Sequence, residues 1–236
     1  MKITVAFSLM IIVLGFSACL KNEDNTADGP KAQIAVINAS FNMPAIDLTV
    51  DKNKLTSSPI AFGAASGSTG NIYLPVQAGL RQMILSGSST TFLDKNFAMV
   101  ANSYYSMLVL DTMKNNFVNV YVLRDDTTTI DTLAKARFFH FIPGKDTLSA
   151  LLIRTNPTID STTLASNVTY LSAVTSEFPV IVKPGSYRLE LKQRGSVIYN
   201  NPTVVIEARK LYSFIGKGTS GGAGPYNPSI LVLQNK

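Results

Sequence analysis

The side chains that most often do chemistry are scarce in this chain, which carries one histidine, His140, and one cysteine, Cys19. A serine or cysteine nucleophile needs a base beside it, most often histidine. His140 alternates with Phe138 and Ile142 along an apolar stretch, the setting of a hydrogen-bonded strand histidine rather than of a base. One imidazole without a second cysteine gives no zinc set either. Carboxylates remain. Asp47 and Asp51 fall on one face of an alternating strand, about 13 Å apart at about 3.3 Å per residue. Glycosidase pairs stand closer, at roughly 5 to 9.5 Å. Asp125 and Asp126 suit the end of a strand better than a calcium site. Gly216 to Gly224 is rich in glycine but lacks the spacing of a phosphate loop. It reads as a hairpin loop able to adapt to a ligand. No catalytic residue, metal site or cofactor is expected, and the chain reads as a non-enzyme.

The elements that would position these residues are strands. Ile46, Leu48 and Val50 alternate with Asp47, Thr49 and Asp51, a half-buried strand with period two. Tyr187, Leu189 and Leu191 face opposite to Arg188, Glu190 and Lys192, and Gln193-Arg194-Gly195-Ser196 then turns the chain back into Val197 and Ile198. No segment shows a helical stripe.

The pattern also repeats. Val36-Ile37-Asn38 answers Phe138-Phe139-His140, Val76-Gln77-Ala78-Gly79 answers Val182-Lys183-Pro184-Gly185, and Tyr105-Ser106-Met107-Leu108 answers Tyr212-Ser213-Phe214-Ile215. The offsets grow from 102 through 106 to 107, as expected of two copies that differ only in loop length. Short strands punctuated by Gly, Pro, Asn and Ser predict an all-β protein of two tandem antiparallel β-sandwich domains, 32–126 and 133–236, joined by the Thr- and Asp-rich stretch Asp125 to Asp131.

Asn38-Ala39-Ser40 through Pro44-Ala45-Ile46-Asp47-Leu48-Thr49-Val50-Asp51, followed by Val76-Gln77-Ala78-Gly79, resembles the bacterial domain of unknown function 4397. That family's pattern has a His-Ala-Ser-Pro-Asp-Ala-Pro stretch, an aspartate-containing strand and a Pro-Ala-Gly turn. The chain departs from it at Asn38, where the family usually has His, and at Phe41. The second copy keeps His140 and Pro143 but loses the aspartate. The resemblance implies an Ig-like envelope module and supplies no activity.

Met1 and Lys2 precede the apolar stretch Ile3 to Ala18, the layout of a secretory signal over residues 1–18. The stretch is shorter than the roughly 20 residues of a bilayer span. Phe16-Ser17-Ala18-Cys19 resembles the lipobox, in which small residues precede a cysteine that takes a diacylglycerol. Cys19 is therefore the expected lipidation site, and residues 19–31 the tether to an outer-membrane lipoprotein of the cell envelope, with surface exposure an open alternative. No cysteine remains to form a disulfide. Apolar burial must hold the fold, and the 46% hydrophobic composition permits a substantial core.

Charge divides the chain unequally. Residues 20–132 hold 8 basic and 10 acidic side chains, net −2, and residues 133–236 hold 12 basic and 5 acidic, net +7. Arg137, Lys183, Arg188, Lys192, Arg194, Arg209 and Lys210 are expected to share strand faces in part. Arg188, Lys192, Arg194, Arg209 and Lys210 form the candidate basic ligand-binding face, suited to anionic glycans. Nucleic acid is not expected, since no recognition helix or aromatic-basic platform motif is present. Five triplets that begin Asp-Ser or Asp-Thr, Asp111-Thr112-Met113 among them, resemble an Asp-Ser/Thr-apolar O-glycosylation motif. The expected function is a non-enzymatic binding, adhesion or structural module anchored through the Cys19 acyl chains, with a glycan or envelope-protein partner. The alternatives are an accessory subunit of an outer-membrane transport or enzyme complex and, behind it, a carboxylate-based glycoside hydrolase. Radiolabelled fatty acid should enter the wild-type protein in cells and be lost in Cys19→Ser; label that persists would remove the anchor.

Overall fold

The computed structural model describes residues 29–236 apart from positions 69, 115, 116 and 157. The signal 1–18, Cys19 and most of the tether lie outside the described residues. The first half forms β1 (Lys31–Asn38), β2 (Asp47–Val50), β3 (Asn53–Lys54), β4 (Ala64–Ala65), β5 (Leu74–Gln77), β6 (Gly79–Gly87), β7 (Thr90–Met99), β8 (Tyr104–Lys114) and β9 (Phe117–Asp125). The second forms β10 (Ala134–His140), β11 (Leu148–Asn156), β12 (Asp160–Val168), β13 (Val180–Val182), β14 (Gly185–Gln193), β15 (Ser196–Ile206), β16 (Leu211–Lys217) and β17 (Ser229–Gln234). Among the described residues no helix is long and apolar enough to cross a membrane.

The strands build four sheets, ordered β4-β1-β8-β9 with β5 also on β1, β3-β2-β6-β7, β13-β10-β16-β17 and β12-β11-β14-β15. The two sandwiches thus share one strand order. The ladders are antiparallel except β1 with β8 and β10 with β16, which are parallel. Each parallel pair is possible because a whole sheet of the same sandwich lies between its two strands in sequence, long enough for a crossover. Ile46, Leu48 and Val50 point into the first core, and Tyr187, Leu189 and Leu191 into the second, as their alternation requires. The turns before β6 and β14 place Gly79 at φ 109° and Gly185 at φ 151°. A Cβ on Gly185 would also stand 2.6 Å from the Asn156 carbonyl.

Three apolar clusters fill the molecule. One lies inside each sandwich, and the third lies between them, where Ala35, Ile37, Leu108 and Leu110 meet Phe139, Phe141, Ile215 and Leu233. The sheets carrying β1 and β10 are therefore covered on both faces, which is why β1, β10 and β16 are buried almost without alternation. The sandwiches pack sheet against sheet, side by side.

At one end of this shared interface polar groups close a ring. Arg137 Nη1 donates to Asp125 Oδ1 at 2.7 Å, and neither side chain is exposed to solvent. Arg137 Nη2 donates to Ser106 Oγ (3.0 Å), which donates to Asp125 Oδ2 (2.6 Å). Arg137 Nε donates to Ser213 Oγ (2.8 Å), which donates to Asn235 Oδ1 (2.7 Å). Asn235 Nδ2 donates to the Tyr73 hydroxyl (3.0 Å), which donates to Asp125 Oδ2 (2.7 Å). Burial, and after it the Asp125 charge, raises the Tyr73 hydroxyl above its ordinary range, so it remains a donor. The guanidinium also lies 4.2 Å from the Phe178 ring centroid and 4.9 Å from that of Phe139.

Arg137 is thus not part of a basic surface. Its alkyl stem and planar fork occupy the face of β10 that meets the first sandwich, where only a fully hydrogen-bonded cation can be accommodated. Removing one member strands the other's charge, at about 3 to 5 kcal/mol. Arg137→Ala should lower the unfolding free energy by about that amount in urea titrations. Adding Asp125→Ala should cost less than the sum of the two single losses; additive effects would show that the pair is not coupled.

Candidate functional site

Strand direction defines two ends of the molecule. β1, β8, β10 and β16 run the same way, since Ser106 meets Arg137 at one level of the interface and Phe62, beside the end of β1, meets Lys217 at another. All four start at the Lys31 end and finish at the Asn38 end. Eight residues of β1 separate these ends by about 26 Å at 3.3 Å per residue.

At the Asn38 end each sandwich fixes its first loop with one buried polar side chain. Asn38 Oδ1 accepts from Ser40 N (3.2 Å), and Nδ2 donates to the Ile60 (3.1 Å) and Pro44 (3.4 Å) carbonyls. His140 makes the same bracket: Nδ1 accepts from Ile142 N (3.3 Å), which leaves Nε2–H to donate to the Asp146 carbonyl (3.0 Å). Both reach two residues ahead with an acceptor and six ahead with a donor. Asn stands where the family pattern has His because a neutral imidazole and a carboxamide offer the same pair of groups. His140 is 1% exposed, and desolvation holds it below its ordinary value of 6.5.

The fixed loops bring together three aromatic rings that are far apart in sequence. Phe41 follows β1, Phe62 precedes β4, and Tyr226 lies in a 3-10 turn, Gly224–Tyr226, between β16 and β17. The Tyr226 ring centroid is 5.4 Å from that of Phe62 and 6.5 Å, edge-on, from that of Phe41. Lys217 Nζ sits 4.8 Å from the Phe62 centroid on the second sandwich's side. It has no ion-pair partner among the described residues, and burial holds it below its ordinary range. The glycine-rich stretch after Lys217 is tied down within its own sandwich: Thr219 N donates to the Tyr226 carbonyl (2.9 Å) and Ser220 N to that of Pro143 (3.2 Å). Tyr226 keeps 42% of its surface exposed. Spacing within one segment could not reveal this cluster, because the rings come from three loops of two sandwiches.

The candidate basic residues fall in three places. Arg188 and Lys192 lie on the outer face of β14 and share Glu190, at 3.0 and 3.1 Å, beside the half-buried Leu151 and Ile153 of β11. Arg194 occupies the hairpin turn at the Asn38 end and pairs with Asp146. Arg209 and Lys210 lie in the turn before β16 at the Lys31 end, Arg209 3.4 Å from Asp131 Oδ1. The nine residues of β14 put about 30 Å between Arg194 and that turn.

Asp47 is bound to Lys54 (2.9 Å) and the Thr56 hydroxyl (2.9 Å), and Asp51 to Arg81 (3.0 Å) and Gln82 N (3.0 Å). These contacts hold the β2–β3 turn. A hollow of about 210 Å³ beside Ile60 and Ala64 has Thr56 and Ser66 in its wall. Both hydroxyls are bonded internally, to Asp47 and to the Ile72 carbonyl. No group of three or more metal-ligating side chains occurs among the described residues. The side chain of Asp111 lies outside them.

Two β-sandwiches locked side by side, with a composite aromatic cluster on their loops, define the class of scaffold. The model described as a domain of unknown function, DUF4397, matches residues 32–150, and the chain belongs to that family. The match covers the first sandwich and continues through β10 into β11. No curated protein matches the sequence. Among solved structures the chain is similar to the carbohydrate-binding module CBMbc, of family CBM26, from Eubacterium rectale Amy13K, determined in complex with maltoheptaose. The two are 10% identical over 87% of this chain and 97% of that one, with a TM-score of 0.28.

The His140 bracket has a pH signature. The unfolded imidazole binds a proton near 6.5, whereas the folded one stays neutral to lower pH. Stability is therefore complete above about 6.5 and falls as pH drops through the lowered folded value. His140→Asn should keep the fold, as Asn38 does in the first sandwich, and flatten the dependence of Tm on pH below 6.5. An unchanged slope would assign that dependence to other groups.

Proposed function

We propose that the protein is a non-enzymatic binding module of the cell envelope, held to the membrane by lipid on Cys19, that presents the Asn38 end to carbohydrate. The observation that carries this reading is the ring cluster of Phe41, Phe62 and Tyr226, built jointly by two locked sandwiches and left partly open at Tyr226. A tyrosine offers an apolar face and a polar tip. A sugar ring offers the complement, an apolar C–H face edged by hydroxyls. Loops fixed on a rigid scaffold hold such a surface without ordering it on binding.

The outer face of β14 is the competing surface for an anionic glycan. There two cations share one carboxylate, leaving a single net positive charge. The loop end differs in having a half-buried lysine, Lys217, beside the rings and without a carboxylate partner among the described residues. Asp47 and Asp51, the carboxylates whose spacing the sequence puts on one strand face, each bind a base and hold a turn.

Glycan-array screening followed by calorimetry on the best hit tests the proposal. Tyr226→Ala should weaken binding by about tenfold or more, as loss of a central aromatic contact does. Its side chain is exposed enough that Tm should stay within a few degrees of wild type. Arg188→Ala with Lys192→Ala should change affinity by less than about threefold, the scale of exposed ion pairs. The reverse pattern would move the ligand to the β14 face and overturn the loop-end reading.

A further inference from the structure

Exposed apolar side chains are concentrated at the opposite end. The most exposed large hydrophobic residues among those described are Ile159 (89%), Leu80 (67%), Val205 (58%) and Ile181 (54%). All four belong to the Lys31 end. Leu80 opens β6, whose neighbour across the turn, Gln77, pairs with Lys31. Ile181 pairs with Lys135 at the start of β10, and Val205 pairs with Ser186 at the start of β14. Ile159 follows β11 where that strand ends beside Ser186. Val100, 48% exposed, also lies here, in the turn between β7 and β8, whereas Val197 (50%) lies beside the hairpin at the Asn38 end. Both sandwiches contribute, and the five at the Lys31 end come from separate turns and strand ends rather than from one strand that a folding partner strand would cover.

The same end receives the N-terminal chain. Pro30 O accepts from Ala78 N (2.9 Å), which fixes the start of β1 against the turn before β6. Ten residue steps lead from Cys19 to Gly29, a span of at most about 35 Å. A lipid-bearing Cys19 therefore holds this end, and not the aromatic loops, against the bilayer. Charges of both signs stand at this end, Lys31, Arg209 and Lys210 with Asp131 and Glu207 among them.

From this we infer that the Lys31 end is a membrane-docking surface, on which Leu80, Ile159, Ile181 and Val205 enter the interfacial region of the bilayer and orient the rings outward. The inference rests on the lipid anchor of the proposed function. A short tether alone would leave the body free to tumble; side chains partitioning at several points around one end would fix its axis. Because burial of apolar surface carries the contact, it should depend little on salt.

The chain's only cysteine supplies the test, because acylation at Cys19 blocks its thiol. The full-length lipidated protein, as Leu80→Cys, Ile159→Cys or Tyr226→Cys, would be labelled with an environment-sensitive fluorophore. It would be reconstituted in phosphatidylethanolamine and phosphatidylglycerol vesicles carrying acyl-brominated lipid. Probes at 80 and 159 should be quenched severalfold more than the probe at 226, in low and high salt alike. Equal quenching at the two ends, on a protein whose Cys19 resists labelling, would overturn the docking surface alone. Shielding of the 80 and 159 probes without vesicles, together with a doubled mass in solution, would overturn it in favour of a second copy. Labelling of the unsubstituted protein would overturn the anchor instead.

Discussion

A guanidinium with no solvent-exposed surface sets the terms for the rest of the molecule. Arg137 is buried between two sandwiches, and a cation so placed persists only if its donors are answered. Asp125 and Ser106 answer from the first sandwich, Ser213 from the second, and the Thr175 carbonyl at 3.2 Å from the loop before β13. These partners sit on four separate segments, so the geometry is met at one relative placement of the two sandwiches. The apolar residues around it, Ile37, Leu108, Phe139 and Ile215 among them, supply nonspecific attraction. The ring supplies the register. Without it the shared face of two sheets could slide; with it, the loops at the far end meet in one arrangement, and Phe62 faces Lys217.

The ring also shows how two similar halves became different. Ser106 and Ser213 occupy matching places on β8 and β16, each paired with the residue on the strand to its side, Ala35 in the first half and Arg137 in the second. Asp125 and Asn235 stand two residues beyond Leu123 and Leu233, which pair with those serines. The first half thus carries the small residue and the acid, the second the cation and the amide. A symmetric pair would have placed two cations or two carboxylates at the interface, each desolvated beside its like. Exchange of one charge for each half makes the contact self-consistent and makes it hold these two halves rather than two copies of either.

Much of the fold was legible because β-structure writes itself locally. Alternation marked the strands around Leu48 and Leu189, and Gly79 and Gly185 marked turns whose positive φ the structure requires. What was not legible depended on the second burying surface. β1, β10 and β16 are buried along nearly their whole length, without the apolar-polar alternation that marks a half-buried strand in sequence. Arg137, read as surface charge, lies in such a strand; nothing adjacent in sequence tells that its partner is Asp125. The bracket at His140 was legible in part, as a strand histidine, but its equivalence to Asn38 rests on hydrogen-bond directions. Phe41, Phe62 and Tyr226 converge only through the packing of whole domains.

The unequal charge of the halves takes on a different meaning in this arrangement. Three of the first half's acids, Asp125, Asp126 and Asp131, bind bases of the second, Arg137, Lys135 and Arg209, at 2.7, 3.4 and 3.4 Å. Part of the asymmetry is therefore consumed along the connector, where it draws the sandwiches together. Of the remaining cations, Arg188, Lys192, Arg194 and Lys183 each have a carboxylate nearby, so their local fields are those of dipoles. Pairing does not erase net charge: at distances comparable to the Debye length of about 8 Å, an anionic polymer still meets an excess of positive sign. Such an excess raises the rate of encounter more than it selects a partner. Selection needs a surface with fixed shape and unmet chemistry, and the rings beside Lys217 have both because the buried ion pair at the other end of the interface holds their loops in place.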